Sequence, residues 1–415
     1  MKILWFSHLV PYPAVGRGVL QRSYNLVREL ARAHEVHLLA FVQRKLIVDI
    51  LGDVDIGLAE AQRHLEGYCA QVRFLSIPSE ALRWGRPRLA ASSLLGAHPY
   101  TVGWLRGKDA EAVARKWSDS VEFDVVHFDT ISLAPYRHCF KRSALSLDHH
   151  NIESHMMLRR ASKESNPAKK IYFWQEGIRL KKYERRVCPE FDLNITCSDL
   201  DSDRLRVVAP GVSIAEVPNG VDTTYFFPRV VSEKQHSVVF AGAMSRYANA
   251  SAMLFFAEKI WPELKRLRPE VTMDVVGGNP PARLRAIAAQ DRDFRVHGFV
   301  PDVRPFMENA AVYVCPITDG GGTKLKILDA LAMGKAVVAH PIACEGINVS
   351  PGKNVIFAHD ASEFAAEITN LLNNPQLRAQ LAHGARSLVE RSYSYSVVGK
   401  TLVGAFERFA NGDVR

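Results

Sequence analysis

Short apolar runs alternate with amphipathic stretches along the whole chain, and this alternation restricts the fold more than any other feature. The runs include KILWFS, EVHLLAF and DVVHFD in the first half, and SVVFAGA, TMDVVGG and AVYVCPI in the second. Helical patterns such as GVLQRSYNLVRELARA separate most of them. Strands that alternate with helices form parallel sheets, because each helix returns the chain to the same edge. The pattern therefore predicts an α/β protein.

The chain of 415 residues is longer than one hydrophobic core usually supports, so two domains are expected. The Asn-Gly turn and closing proline of VPNGVDTTYFFP suit a connection. We expect two doubly wound, Rossmann-like parallel-sheet domains at residues 1–217 and 231–390, joined by a linker at 218–230. Residues 391–415 are predicted to form a C-terminal helix that returns to the N-terminal domain.

Composition places the chain among water-soluble globular proteins, with 47% hydrophobic and 23% charged residues. No apolar run reaches about 18 residues, so no transmembrane helix is expected. The opening MKILWFSHLVPYPAVG resembles a buried strand and its loop more than a signal peptide. Six scattered cysteines without a CxxC pair are typical of reduced proteins. A cytoplasmic location without disulfides or a zinc site is expected.

The net charge of +9 is concentrated in one segment, Arg159 to Arg186, which holds ten Lys and Arg residues against three Glu. Aromatic residues interrupt the basic ones in KKIYFWQEGIRLKKYERR. A solvated helix face and a helix lying on an anionic membrane both fit this pattern. Nucleic-acid binding is disfavoured because no binding motif accompanies the charge.

Loops that follow the strands of a parallel sheet hold its ligands, and the first such loop is HLVPYPAVGRG. Gly16 and Gly18 belong to an incomplete GxGxxG in which Gln21 replaces the third glycine. The second strand ends in FVQRK, without the acid that a nicotinamide enzyme uses to hold ribose. A dehydrogenase is therefore disfavoured. The loop is either a close approach of backbone to a ligand or an ordinary turn.

Polar residues also follow the strands DVVHFD and ALSLDHH. His127 and Asp129 occupy alternate positions and so share one side of the sheet, as ligand-facing groups or as satisfied structural ones. His149 and His150 lie beside acids, which raises the question of a metal site. Adjacent strand residues point to opposite faces, so the two histidines cannot easily bind one ion, and no metal is expected.

Three glycine-bearing loops follow strands in the second half of the chain. They predict a nucleotide diphosphate held by helix N-termini and cationic side chains. The residues concerned are Gly242 with Arg246, Gly277, and the run Gly320, Gly321, Gly322, Thr323, Lys324 and Lys326. This run is not a Walker A loop, because Gly334-Lys335 is followed by alanine.

At this point the chain resembles a known family over almost its whole length. PNGVD, HGFVPDVRPF and KILDALAMGKAVVAHPIACEGI match the GT-B glycosyltransferases of the retaining family 4. The run GGGTKLKILDA is most similar to bacterial sugar transferases associated with exopolysaccharide export. The resemblance implies the GT-B fold, in which two Rossmann-like domains face each other across a cleft.

The resemblance also implies an activity. The C-terminal domain would bind a UDP- or GDP-sugar, and the N-terminal domain would bind a saccharide or lipid-linked saccharide acceptor. Transfer would proceed with retention and without a metal, at the cytoplasmic face of the membrane. Arg246 and Lys326 would stabilise the leaving diphosphate, aided by Lys324 and the backbone of Gly321–Thr323.

Individual roles follow from the family pattern. Asp329 matches the second acid of an E-x7-E pair and would hold the ribose, whereas the first acid falls at Gly321, which has no side chain. Asp129 stands where the family often has a histidine, in an acceptor or base role, with His127 and His149 beside it. Gly16 and Gly18 match the first glycine loop.

Four alternatives stay open at the level of sequence. Asp329 could be a helix-surface carboxylate, and Lys324 and Lys326 could be a solvated pair. Because residues two apart do not share a helix face, one of the two lysines could serve while the other does not. The protein could be a nucleotide-sugar 2-epimerase on the same fold. It could also be a non-catalytic nucleotide-sugar-binding protein, as the missing acid at Gly321 would allow.

Overall fold

A computed structural model of the protein describes residues 1–13, 18–81, 85–96, 98–229 and 234–410. The chain forms two compact units. The first consists of Met1–Pro218 together with the chain from Val398 onward, and the second of Asn219–Val397. Within the described ranges, no helix is both long enough and apolar enough to cross a lipid bilayer.

The first unit is built on a parallel sheet of seven strands in the order β3-β2-β1-β4-β5-β6-β7. The strands are β1 (Lys2–Ser7), β2 (Glu35–Val42), β3 (Gln71–Ser76), β4 (Val125–Phe128), β5 (Ala144–His149), β6 (Leu193–Thr196) and β7 (Ile214–Glu216). Its helices are α1 (Gly18–Ala31), α2 (Arg44–Leu51), α3 (Val54–Glu66), α4 (Pro78–Ala81), α5 (Gly85–Leu95), α6 (Tyr100–Gly103), α7 (Lys108–Ser120), α8 (Glu153–Lys163), α9 (Pro167–Val187) and α10 (Asp199–Val208). A 3₁₀ segment, Ile131–Cys139, follows β4.

Both faces of this sheet are buried, which explains the nearly continuous apolar runs of its strands. Successive side chains of β1 enter opposite cores: Leu4 and Phe6 pack on one side, Ile3 and Trp5 on the other. The side chains cannot reach solvent through either face. Polar groups are therefore left to the strand ends.

The second unit has a six-stranded parallel sheet in the order β10-β9-β8-β11-β12-β13. Its strands are β8 (Lys234–Ala241), β9 (Thr272–Val276), β10 (Phe294–Gly298), β11 (Ala310–Cys315), β12 (Ala336–Ala339) and β13 (Ile356–Phe357). Its helices are α11 (Tyr247–Phe255), α12 (Trp261–Leu267), α13 (Ala282–Gln290), α14 (Arg304–Asn309), α15 (Leu325–Ala332), α16 (Ala361–Asn373) and α17 (Pro375–Ser392). The α/β architecture with two parallel sheets, predicted from the sequence, is confirmed.

The segment that follows Pro218 packs within the second unit. Val221 and Phe226 are buried in its core. Arg386 of α17 donates hydrogen bonds to the backbone carbonyl oxygens of Thr223, Phe226 and Ala332. Residues 219–229, inside the expected linker, are thus anchored to the second sheet.

A last helix, α18 (Tyr395–Ala410), carries the chain back to the first unit. Val398, Leu402 and Phe406 are buried in the core that contains Trp5. Gly399 permits a close approach to α1, because a Cβ there would lie 2.4 Å from the Cβ of Glu29. The helix is therefore an integral part of the first core.

Helices α8 and α9 form the basic hairpin of the first unit. The buried face of α9 carries Phe173, Leu180 and Glu184. The Glu184 carboxylate accepts hydrogen bonds from the backbone N–H and the hydroxyl of Ser154 on α8. Burial raises the pKa of Glu184 to about 7. Burial and the negative charge of Glu184 raise the pKa of Glu153 to about 7 as well.

Truncation of Phe406 should destabilise the first unit. Phe406→Ala removes a side chain with no exposed surface and leaves a cavity between α18 and the sheet. The expected loss of unfolding free energy is about 3–5 kcal/mol in urea denaturation. Val207→Ala, at a 75% exposed position of the same unit, should change it by less than about 0.5 kcal/mol. Equal effects of the two variants would contradict the packing of α18 on this core.

The buried carboxyl of Glu184 should make stability depend on pH. Its pKa in the folded protein lies above the ordinary 4.5, so the folded state holds the proton more tightly. Its stabilising contribution is complete below about pH 4.5 and is lost as the pH rises through about 7. Relative to Glu184→Gln, wild type should lose unfolding free energy across this window. The exposed Glu122→Gln should leave the profile unchanged, and parallel profiles for wild type and Glu184→Gln would refute the assignment.

Candidate functional site

Each sheet has one point where the chain reverses the direction in which strands are added, between β1 and β4 in the first unit and between β8 and β11 in the second. The loops leave these neighbouring strands in opposite directions and open a crevice at their carboxyl ends, where ligands of such sheets bind. The residues predicted from the sequence gather at these two places.

In the second unit, glycines permit close packing of the loops after β8 and β9. A Cβ on Gly277 would lie 2.0 Å from the carbonyl oxygen of Gly242. A Cβ on Gly242 would lie 2.9 Å from Cε of Lys326. Gly242 therefore leaves room for the Lys326 side chain, and Gly277 leaves room for the Gly242 backbone.

Lys326 lies in the first turn of α15, beside Gly242, and it is partly buried. Its Nζ donates a hydrogen bond to the amide oxygen of Asn249 and lies 5.5 Å from the centre of the Phe240 ring. Burial lowers the pKa of Lys326 and raises that of Asp329 to about 7, although the two charges attract each other. Because both groups are desolvated, a charged ligand bound at this strand end would shift their pKa values strongly.

Arg246 begins the helix that follows Gly242, as the residue before α11, and its side chain is exposed. Its positive charge acts on Lys326 and helps to lower the pKa of that lysine. The structure thus brings Arg246, Lys326 and Asp329 into one electrostatic environment. Two cations and one desolvated acid here match what a nucleoside diphosphate needs.

Lys324 is used differently from Lys326. It precedes α15 and donates hydrogen bonds to the carbonyl oxygens of Gly320 and Gly322, at 2.7 and 2.9 Å. Both glycines have positive φ, 106° and 70°, a conformation that glycine adopts without strain. Lys324 therefore holds the glycine loop together from inside.

Three further groups complete this loop. The Asp319 carboxylate accepts a hydrogen bond from the backbone N–H of Gly320. The hydroxyl oxygen of Thr323 is buried and has no hydrogen-bond partner among the residues that the structure describes. Glu345, which follows β12, places a carboxylate oxygen 3.8 Å from Nζ of Lys324. Gly321 is exposed, so the loop presents backbone rather than a carboxylate at the position of the missing acid.

In the first unit, Asp129 is the centre of a polar cluster at the β1/β4 strand ends. It has no exposed surface. Its carboxylate accepts hydrogen bonds from the hydroxyls of Ser7 and Ser23, both at 2.9 Å, and contacts ring nitrogens of His8 and His150 at 3.2 and 3.1 Å. Burial opposes its ionisation, but His150 and His8 hold its pKa well below the usual range. Asp129 is therefore a buried carboxylate that accepts three contacts at Oδ2 and one at Oδ1.

The two histidines contact Asp129 through different ring nitrogens. His150 is hydrogen-bonded to Asp129 through Nε2, and a ring nitrogen of His150 lies within 4.8 Å of Sγ of Cys197. Burial lowers its pKa, but the charge of Asp129 outweighs this and raises the pKa well above the usual value. His8 contacts Asp129 through Nδ1 and keeps 14% of its side-chain surface exposed.

The other predicted residues of the first unit lie deeper or elsewhere. His127 is fully buried against Trp5 and Phe406, and burial lowers its pKa to about 4. His149 is buried and contacts the amide oxygen of Asn194. Gly18 is the first residue of α1, whereas Gly16 lies outside the described residues. The structure brings neither His127 nor His149 to an accessible surface.

Some side chains of the described residues could hold a metal ion by spacing alone. Ligand atoms lie within 4.8 Å of one another in the sets His8/Asp129/His150, Asp148/His150/Cys197, His127/Asp129/Asp148 and Glu111/His138/Cys139. Asp129 already accepts four hydrogen bonds, and Asp148 is paired with Arg22 at 3.0 Å. These groups need no ion to be satisfied. A metal-independent reaction stays a prediction.

Sequence reasoning missed His8, Asn249 and Glu345. His8 directly follows the first strand in FSHLVPYP, which is the position that marks a ligand-facing residue. Asn249 lies three residues beyond Arg246, but nothing in the sequence indicates that it contacts Lys326. Glu345 had a signal too, because it follows the strand AVVA.

Known proteins with similar sequences include glycosyltransferases. Residues 235–374 match the family model described as glycosyl transferases group 1. An uncharacterised 44.6 kDa protein in the cps region of Klebsiella pneumoniae is 23% identical over 94% of this chain and 96% of its own length. The phosphatidyl-myo-inositol mannosyltransferase of Mycolicibacterium smegmatis is 28% identical over 58% of this chain. The match spans 62% of that enzyme, just under two thirds.

A solved structure extends the match to the whole fold. The Anabaena protein HepE, crystallised in complex with UDP, superposes with a TM-score of 0.65 at 14% identity, over 98% of this chain and all of its own. The GT-B fold predicted from the sequence is thereby confirmed. Residues 235–374 thus form a domain of the group 1 glycosyltransferase family, and the chain as a whole has the GT-B fold.

Proposed function

We propose that the protein transfers a sugar from a UDP- or GDP-sugar to a saccharide or lipid-linked saccharide, with retention and in the synthesis of a cell-surface polysaccharide. The observation that carries this proposal is the partly buried Lys326, whose charge interacts with those of Arg246 and Asp329 near the switch point of the second sheet. A fixed cation there stabilises charge that develops on a leaving diphosphate. HepE has been crystallised in complex with UDP and with UDP-glucose, which favours a uridine nucleotide for this protein as well.

The role of each residue at the donor site follows from its chemistry. Arg246, Lys326 and the helix start at Thr323 contact the diphosphate, while Asp329 accepts hydrogen bonds from ribose hydroxyls. Lys324 keeps the glycine loop in shape, because two of its three ammonium protons are donated to carbonyl oxygens of that loop. Cations and backbone N–H groups replace a metal ion in neutralising the leaving group.

The acceptor side includes a surface suited to lipid. On α9 the exposed stripe runs through Ile171, Trp174, Lys181, Lys182 and Arg185 at helical spacing. Ile171 and Trp174 are 64% and 57% exposed. An apolar half followed by a basic half is typical of helices that lie on anionic membranes. This stripe would bring the enzyme to a lipid-linked acceptor.

Two other functions predict different outcomes. A nucleotide-sugar 2-epimerase would convert the donor without releasing a nucleotide, and it would have no use for the basic stripe on α9. A non-catalytic protein would bind the donor and leave it intact. The exposed Gly321, in the place of a family acid, is the observation that favours this second alternative.

Replacement of Lys326 should weaken donor turnover. In Lys326→Ala we expect kcat/KM to fall at least about tenfold, equivalent to about 1.4 kcal/mol, because the leaving diphosphate loses a fixed cation. The donor is first identified by thermal shift with a panel of UDP- and GDP-sugars, since specific binding raises the melting temperature. Nucleotide release is then followed by a coupled assay.

The matched control is Lys353→Ala, which removes an exposed lysine of the same unit and should behave as wild type. Wild-type turnover in Lys326→Ala would refute the donor site. Epimerised sugar without nucleotide release would establish the first alternative. Thermal stabilisation without any conversion would establish the second.

Charge reversal on α9 should release the protein from anionic vesicles. Each basic residue near an anionic surface contributes about 1 kcal/mol, so a Lys181→Glu/Lys182→Glu/Arg185→Glu variant should lose about 100-fold in binding. Sedimentation with phosphatidylcholine vesicles, with and without phosphatidylserine, measures this. Lys141→Glu/Arg142→Glu, exposed on another loop, serves as the control. Absence of binding by the wild type would exclude the membrane interaction.

A further inference from the structure

We infer that a cavity in the first unit binds a ligand through a phosphate monoester group. The cavity has a volume of about 600 Å³, within the range of small-molecule sites, and is lined from two stretches of chain, 89–111 and 135–138. Both stretches belong to the first unit. The inference therefore concerns this unit alone and does not depend on the proposed sugar transfer.

The loop that precedes α7 is fixed in a form that directs two cations to the cavity. The Tyr136 hydroxyl accepts a hydrogen bond from the backbone N–H of Gly107 at 2.9 Å and donates one to the carbonyl oxygen of Leu105 at 2.7 Å. Gly107 is extended, with φ −157° and ψ 143°, so the residues before and after it project to the same side. These residues are Arg106 and Lys108, and both line the cavity.

The positive charge of this loop is not paired. Among the residues that the structure describes, neither Arg106 nor Lys108 has a side-chain hydrogen bond or an ion pair. Glu111 is the acid on the cavity wall, and its carboxylate contacts His138 at 2.9 Å and Arg115 at 2.8 Å. These two contacts lower the pKa of Glu111 to about 2. An anion that enters the cavity would thus meet two unpaired cations.

Two arginines of α9 add to the positive potential at this cavity. Burial lowers the pKa of His98, which lies on the cavity wall. The positive charges of Arg106, Arg186 and Arg179 lower it further. Arg179 is held in place, since it donates hydrogen bonds to the backbone carbonyl oxygens of Gly96 and His98. Fixed cations around a concave wall attract anions more strongly than the same charges on a flat surface.

A phosphate monoester is the anion that fits these groups. It carries about 1.5 to 2 negative charges at neutral pH, which matches the two unpaired cations. Arginine donates two parallel hydrogen bonds to phosphate oxygens, and lysine can donate a third. α7 begins at Lys108 without a side-chain cap, so its first N–H groups favour negative charge here as well. The cavity is larger than a phosphate ion, and Leu89, Pro99 and Pro135 provide apolar walls for the esterified group.

A phospholipid and a soluble sugar phosphate can both carry such a group, and the contacts of α9 favour the lipid. Gln175 and Arg179 donate hydrogen bonds to the backbone carbonyl oxygens of Leu94 and Gly96, at the edge of the cavity. Trp174, which belongs to the exposed stripe of α9, directly precedes Gln175. The stripe and the cavity edge are therefore neighbouring faces of one helix. A membrane in contact with the stripe would present headgroup phosphates near the cavity.

Calorimetric titration of the full chain with glycerol 1-phosphate tests the soluble form of the ligand. In Arg106→Gln/Lys108→Gln we expect the Kd to rise at least about tenfold, because two charge-assisted donors are lost. Both side chains are exposed, so the variant should keep the melting temperature of the wild type. Lys141→Gln/Arg142→Gln removes the same two charges at exposed positions outside the cavity and should bind as the wild type does.

Sedimentation with vesicles tests the lipid form. Phosphatidylcholine vesicles that contain phosphatidic acid present a phosphate monoester, whereas vesicles with phosphatidylserine at the same surface potential present a diester. The wild type should bind the phosphatidic acid vesicles at least about tenfold more tightly. Arg106→Gln/Lys108→Gln should lose this preference, and Lys141→Gln/Arg142→Gln should retain it. The basic stripe of α9 contributes equally to both vesicles, because their surface potentials are matched.

The two measurements together decide the proposal and identify the source of the phosphate. Binding of glycerol 1-phosphate without a vesicle preference establishes a soluble ligand, and a preference for phosphatidic acid establishes a lipid. Either result supports the cavity if Arg106→Gln/Lys108→Gln abolishes it. The proposal is overturned if the wild type shows neither binding nor preference. It is equally overturned if Arg106→Gln/Lys108→Gln behaves as the wild type in both measurements.

Discussion

Burial of both faces of each parallel sheet is the constraint on which the rest of the molecule depends. Strands such as β4 and β11 have no side chain exposed on either face, so they can carry packing but no solvent-facing chemistry. Several of the polar groups therefore lie just beyond the strands. Ser7 and His8 follow β1, Asp129 follows β4, His150 follows β5, and Glu345 comes shortly after β12. The candidate functional groups thus lie near the strand ends because the strands themselves are buried in the core.

The cluster around Asp129 and the pair Asp329 and Lys326 differ in how their buried charges are stabilised. Asp129 is surrounded by four donors, so its ionised form is stabilised and its pKa falls. Asp329 and Lys326 have few such partners, and burial raises the pKa of the acid and lowers that of the lysine. The first cluster is satisfied without a ligand and serves to orient its histidines. The second gains from a ligand that brings the opposite charge to Lys326, as a diphosphate does.

The two sheets and the glycine loops could be predicted from the sequence, because both depend on local sequence patterns. Alternating apolar runs determined the sheets, and glycines after strands marked Gly242, Gly277 and the loop at 320–322. Contacts between side chains that are distant in sequence could not be predicted in this way. Asn249 contacts Lys326 across 77 positions, and Asp129 joins Ser7 across 122. Spacing indicated that His127 shares a side of the sheet with Asp129, but only packing decides that Trp5 and Phe406 bury it.

The different contacts of Lys324 and Lys326 are a second feature that the sequence alone could not predict. Both belong to one short motif, and both were candidates for the same charge. Because α15 begins at Leu325, only Lys326 lies within the helix, while Lys324 faces the loop that precedes it. A loop with positive φ at Gly320 and Gly322 turns carbonyl oxygens inward, and these need a donor. Lys324 supplies it, and Glu345 lies near enough to balance its charge. The loop lacks the family acid at Gly321, yet it retains a carboxylate at its edge.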